Sequence, residues 1–252
     1  MKLHHFKLSK GQLTVIPEVE RNLFVLLAHA ANELNTLIKL FKYCSEHPAT
    51  TEVEKEARNA QAMTIGRLLT GKLYECWKLL QSAFFGTKLS QVYEPLLDAG
   101  ATTYLNALKK YFGRKNLIEA VRNQHAFHYS PDQISRGFAN LADEEALNVY
   151  MATTNANTLY AFADVIAGYS LLEDICPGNP VQAFDALISE TTEVLDWFNQ
   201  VIGAFMMIVI EKYIGCDLEA LDSREVEIGG ALDWKVITIP YFIEVADSEV
   251  TK

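Results

Sequence analysis

Between Asn116 and Pro131 the chain reads Asn-Leu-Ile-Glu-Ala-Val-Arg-Asn-Gln-His-Ala-Phe-His-Tyr-Ser-Pro, which crowds Arg122, Asn123, His125, His128 and Tyr129 into its second half. Groups of these types can break an RNA strand without metal. A base draws the proton from a ribose 2′-hydroxyl, an acid protonates the leaving oxygen, and a fixed cation stabilises the charge on the phosphorus oxygens. Histidine, with an unperturbed pKa of about 6.5, suits the proton transfers near neutral pH. Arginine suits the phosphate, because its planar fork donates two parallel hydrogen bonds and stays charged. On this reading Arg122 is the candidate cation, His128 and His125 are the candidates for the proton transfers, and Asn123 and Tyr129 stand beside them. One chain offers too few of these groups, and a two-fold dimer doubles them.

The stretch reads as one short helix. Asn116 followed by Glu119 is a capping-box start, and Ser130-Pro131 stops the helix because a residue before proline avoids helical geometry. On a regular helix Arg122 and His128 stand roughly 9 Å apart along the axis and about 120° apart around it. They do not share a face. Either the last turn is distorted, or Arg122 of one copy serves His128 of another. His125 shares the side of Arg122 and competes for the histidine role, and Tyr129 falls on that side too. Arg122 also has a structural use available, a pair with a carboxylate such as Glu119. Lys109, Lys110, Arg114 and Lys115 precede the stretch and make a local phosphate-attracting patch.

The elements that must hold this stretch are helical. From Pro17 apolar residues recur at Leu23, Leu26, Leu27, Ala30, Leu34, Leu37, Ile38 and Phe41, the spacing of one helical face, up to a stop at His47-Pro48. His29 falls within that face and is expected in the core; His4 and His5 read as loop residues. Thr51 and Glu54 open a second long helix that ends near Phe84-Phe85-Gly86. Shorter runs follow over 101–112, with Gly113 as C-cap, and from Ser130-Pro131 to Leu141; 147–154 is ambiguous between strand and helix. A run over 159–172 is helical. Asn179-Pro180 with Gln182 opens the last long helix, which closes at Gly215. Residues 1–16 form an extended arm broken at Gly11. Trp234 to Val245 is β-branched and aromatic around Pro240, which predicts an edge strand or an extended tail packed on the rest. The expected fold is therefore all-α: an up-and-down bundle over 17–215, with an arm at 1–16 and an extended appendage at 216–252.

Composition narrows the function classes. The chain has 252 residues, half of them hydrophobic, and a net charge of −10. That suits one large core and disfavours a general nucleic-acid or acidic-membrane binder, so any polyanion site is local. The N-terminus lacks the apolar run of a signal peptide, and Val201–Ile210 is about half the roughly 20 residues needed to span a bilayer. A cytoplasmic protein with no membrane partner is expected. Cys44, Cys76, Cys176 and Cys216 form no C-x-x-C pair and read as buried free thiols in a reducing compartment. No phosphate loop, G-x-G-x-x-G, G-x-S-x-G, H-E-x-x-H or Glu-x-x-His pair occurs, so neither a cofactor nor a metal is expected.

Arg122-Asn123-Gln124-His125-Ala126-Phe127-His128 resembles the R-x(4–6)-H signature of the HEPN superfamily: an arginine, a polar residue after it, and a histidine near the end of the same helix, here with five residues between. The flanking Ala-Phe-His-Tyr-Ser is similar to the sequence around that histidine in uncharacterised bacterial HEPN-like groups. The resemblance covers roughly residues 17–215. It implies a metal-independent endoribonuclease, a toxin or defence effector, with Arg122 and His128 catalytic and Asn123, His125 and Tyr129 supporting them, in which two motif helices meet across a homodimer and cleave RNA to cyclic-phosphate ends under the restraint of an antitoxin or regulatory protein. The alternative it implies is a non-catalytic HEPN-like module that binds a nucleotide or protein partner.

Overall fold

The computed structural model describes residues 1–46, 48–215, 224–230 and 232–244. At the N-terminus Lys2–His5 form a strand, β1, and Lys10–Thr14 a short helix, α1. Ser9 and Gln12 start α1 with a complete capping box, each side chain bonding the other's backbone N–H. Gly11 therefore lies inside a helix rather than breaking an arm, because reciprocal caps offset a glycine's deficit of about 1 kcal/mol. His4 and His5 are strand residues, not loop residues.

Three long helices carry the bundle: α2 (Glu18–Ser45), α3 (Glu52–Leu79) and, at the end of the chain order, α9 (Pro180–Tyr213). The shorter α4 (Leu89–Tyr93), α5 (Ala99–Phe112), α6 (Leu117–Val121), α7 (Pro131–Ala139) and α8 (Ala161–Ile175) lie between them. Thr51 caps α3 by accepting from Glu54 N at 3.2 Å, and Asn179 caps α9 by accepting from Gln182 N at 3.0 Å. Each such cap contributes about 1 kcal/mol. Gly215, at φ +113°, takes the left-handed conformation that ends α9. Of the expected His47-Pro48 stop of α2, His47 lies outside the described residues.

The helices run up and down. Lys72 pairs with Glu33 at 2.8 Å while Phe41 packs beside Gly66, so α2 and α3 are antiparallel; Asn199 bonds Asn35 and Lys212 bonds Glu20, so α9 is antiparallel to α2. Leu27, Leu34, Leu73, Leu108, Ile118 and Phe198 meet in the core, where Trp77 stacks on Phe112 at 4.7 Å. By length and composition α9 is the one described helix able to cross a bilayer, yet Val194, Phe198, Phe205 and Val209 are buried between helices. His29 corrects its expectation. It is exposed, 3.9 Å from Glu33, because the buried stripe of α2 is narrower than the apolar pattern and leaves Val25 and Leu26 outside as well.

β1 pairs antiparallel with β2 (Arg224–Glu227), setting Lys2 opposite Glu227 and His5 opposite Arg224. The expected edge strand over 234–245 does not form among the described residues; its end, Val245, lies outside them. Trp234–Val236 make one 3₁₀ turn, and the following chain packs on the bundle as an extended tail. Pro240 has no N–H to give a ladder, and side chains anchor the tail instead. Ile239 sits against Phe41 and Ala62, Tyr241 and Phe242 against Ala57, Leu159 and Ala161, and the Tyr241 hydroxyl donates to Thr158 O at 3.0 Å. The ambiguous 147–154 segment is irregular, tied by a single bridge from Tyr150 to Leu159.

Burial also sets thiol chemistry. It pushes the Cys76 thiol up to about 12 and raises Cys44, whereas Cys176 is only half-buried; Cys216 lies outside the described residues. A thiolate reagent at pH 8 is expected to modify Cys176 of the native protein and to reach Cys44 and Cys76 only after denaturant is added, as read by peptide mass mapping. Native-state labelling of Cys76 at a comparable rate would contradict this packing.

Candidate functional site

Asn116 starts α6 by accepting from Glu119 N at 2.8 Å. The box is only half closed: the Glu119 carboxylate turns away to accept from the Tyr74 hydroxyl of α3 at 2.9 Å. Ile118 and Val121 anchor α6 in the interior. From Arg122 to Ala126 the helix then widens into a π turn, and it ends at Phe127, φ −129° and ψ 5°. The last turn is thus distorted, one of the two ways the Arg122–His128 geometry was open. π turns are rare and concentrate at functional sites, although a second one, Leu80–Phe85, ends α3 among core aromatics.

That turn sends its polar residues in different directions. Arg122 faces α3, where Nε and Nη2 donate to Glu75 Oε1 at 2.9 and 2.7 Å and the guanidinium lies 5.7 Å from the Tyr74 ring centroid. Its carboxylate partner is Glu75, not Glu119. Asn123 holds the third corner, accepting from Nη1 at 3.2 Å. His125 faces α8 instead, so it does not share the side of Arg122 as regular spacing predicts. It is 9% exposed, and Nε2 donates to Asp174 Oδ2 at 2.9 Å; Arg136 of α7 grips the same carboxylate from Nη1 and Nη2 at 3.0 and 3.3 Å. Beyond the turn His128 and Tyr129 are exposed, and neither makes a side-chain hydrogen bond among the described residues.

His125 and Asp174 line a cavity of about 280 Å³ together with Gln124 and Glu190. Burial lowers the His125 pKa below the usual histidine value; Asp174 opposes that, and the charges of Arg67 and Arg136 reinforce it. Burial thus favours the neutral ring, and the Asp174 carboxylate at Nε2 favours the tautomer that carries its proton there. The unfolded chain binds a proton here more readily than the folded one. This contribution to stability is complete above a pH of about 6.5 and is lost as pH falls below it. Urea midpoints compared at pH 7.5 and 5.5 are expected to fall on acidification, with a smaller fall in His125→Gln; an equal fall in both would assign the acid sensitivity elsewhere.

The basic patch is partly spent. Lys109 pairs with Glu94 at 2.7 Å over the Phe85 ring, while Lys110, Arg114 and Lys115 are exposed at the end of α5 and in the turn that follows. Among the described residues no group of three or more His, Cys, Asp or Glu side chains could hold a metal ion. No family model, curated protein or solved structure matches this chain.

Sequence reading missed Glu75, Asp174 and Arg136, which now define what Arg122 and His125 can do. Their signal was faint. Glu75 lies on the second long helix 47 residues before Arg122, and Asp174 stands beside the core residue Leu171 on α8 without any neighbour in sequence to betray a partner.

Proposed function

We propose that the chain is a metal-independent endoribonuclease of HEPN type, acting in the cytoplasm as a homodimer, with Arg122 and His128 from two copies forming one site. The supporting observation is the course of the motif: a π turn that ends in an exposed His128 just past a half-exposed Arg122. Arg122 is held but not locked. An ion pair with an exposed carboxylate such as Glu75 contributes about 1 kcal/mol or less, and a phosphate that accepts two parallel hydrogen bonds displaces it readily. The open cations Lys110, Arg114 and Lys115 lie on the approach to α6 and favour a polyanion. A toxin or defence role, with an antitoxin or other regulatory partner, belongs to the same proposal.

The competing reading is a non-catalytic module that binds a nucleotide or protein partner, and the Arg122–Glu75 pair favours it, since the guanidinium is already satisfied without substrate. RNA incubated with the purified chain in excess chelator separates the two. The enzyme yields 2′,3′-cyclic-phosphate ends, and Arg122→Ala or His128→Ala each lowers the rate about 10²- to 10⁴-fold. Absence of cleavage, or cleavage indifferent to both substitutions, leaves the module.

A further inference from the structure

A cleft roomier than the one beside His125 lies away from the motif. It lies between α3, α8 and the first turns of α9, with a volume of about 510 Å³, and Ala60, Met63, Val165, Leu172 and Phe184 supply its apolar wall. That is the size and character of a site for a small organic molecule. Gly168 of α8 keeps it open: a Cβ there would meet only Met63 Cε, at 3.9 Å.

Carboxylates supply the polar side. Asp164 lines the cleft without a hydrogen bond or ion pair among the described residues, and burial holds its carboxyl above the usual range, with Arg67 opposing from a distance. Glu56 has one oxygen taken by Asn148 Nδ2 at 2.8 Å, while Oε2 is buried without a well-formed hydrogen bond, although the Tyr150 phenol is near enough for the carboxylate to raise its pKa. Glu145 adds a third acid. The cleft's one basic residue, Lys55, is paired with Glu52 at 3.2 Å. A buried acceptor without a partner costs free energy, and Glu56 Oε2 beside the half-buried Asp164 carboxylate in a roomy apolar cleft marks a ligand that supplies donors.

We infer that this cleft binds a protonated organic amine, its ammonium donating to Asp164 and Glu56 and its apolar body lying against Met63, Val165 and Phe184. A neutral polar ligand offers fewer donors and leaves the acidic field uncompensated, and an anion is repelled by it. The chain's net charge of −10 draws cations to the same place. The site is separate from the motif turn, so the inference holds or fails independently of RNA cleavage.

Calorimetric titration of the full chain with phenethylamine and with 2-phenylethanol at pH 7.5 tests it, since the two probes share a body and differ in the ammonium. The amine is expected to bind at least about tenfold more tightly, as a charge-assisted hydrogen bond to a half-buried acceptor implies. Asp164→Asn is expected to reduce that preference severalfold, and Asp164→Asn with Glu56→Gln to erase it. Gly168→Leu, which fills the cleft from its open side, is expected to remove binding of both probes while leaving the circular-dichroism spectrum unchanged. Equal affinity for amine and alcohol, a preference undiminished by Asp164→Asn or surviving the double substitution, or no amine binding to the wild-type chain at millimolar concentration would overturn the assignment.

Discussion

Gly137→Ala is expected to destabilise the protein by about 2 kcal/mol net, against what helix propensity alone predicts. In an exposed helix interior alanine is better than glycine by roughly 1 kcal/mol. Gly137, however, is the one buried residue of α7, and it faces α8. A Cβ there would stand 2.2 Å from the Ile166 carbonyl oxygen, 3.2 Å from its carbon and 3.1 Å from Ser170 Cβ. The first two atoms are backbone in the middle of a helix and cannot swing aside, so α7 must lift from α8 as a body. Overpacking of this kind costs about 3 kcal/mol, which exceeds the propensity gain. A nine-residue helix has little stability of its own once lifted. Urea denaturation should show the lower midpoint, and hydrogen exchange should show the amides of 132–139 losing protection first. A midpoint at or above wild type would mean that α7 does not pack on α8 through this glycine.

Much of the helical order was legible because cap chemistry is local. Asn116, Thr51, Ser130 and Asn179 each accept from a backbone N–H three residues on, and every partner lies inside the sequence window that predicts it. The candidate site was legible only as a list of residues. Where each one points depends on a π turn for which 116–131 carries no separate signal, and on partners far along the chain: Glu75 is 47 residues from Arg122, and Asp174 is 49 from His125. His29 and Gly11 failed for related reasons. Periodicity assigned His29 to a face without knowing how wide a stripe α3 and α9 would cover, and Gly11 was read by propensity where a reciprocal cap decided. For the tail the sequence left an edge strand and a packed extended segment open, and the second holds, because its anchors are contacts to Asn157 and Thr158 rather than a ladder with its own period.

Gly71→Ala should do the opposite of Gly137→Ala, sparing stability and striking the motif. A Cβ at Gly71 would lie 2.5 and 2.7 Å from Cε2 and Cζ of Phe127 and 3.2 Å from Ala126 Cβ. Here the obstructing atoms are the far end of an aromatic ring that is 45% exposed, and that ring can turn outward. The strain relieved by this movement is largely offset by the propensity gain of about 1 kcal/mol in the long helix α3, so the urea midpoint is expected to stay near wild type. The ring is, however, together with Ala126 what seats the end of the π turn on α3 at Gly71, and His128 follows it directly. If His128 transfers a proton in RNA cleavage, displacing its backbone by about 1 Å costs on the order of 10²-fold in rate. Arg122 is held by Glu75 one turn further along α3 and keeps its place, so substrate binding falls far less than turnover. The result to look for is a native-like midpoint with kcat reduced and KM nearly unchanged. A variant that cleaves at the wild-type rate would show that the seat of Phe127 on Gly71 does not govern the chemistry, and would shift attention to the buried His125.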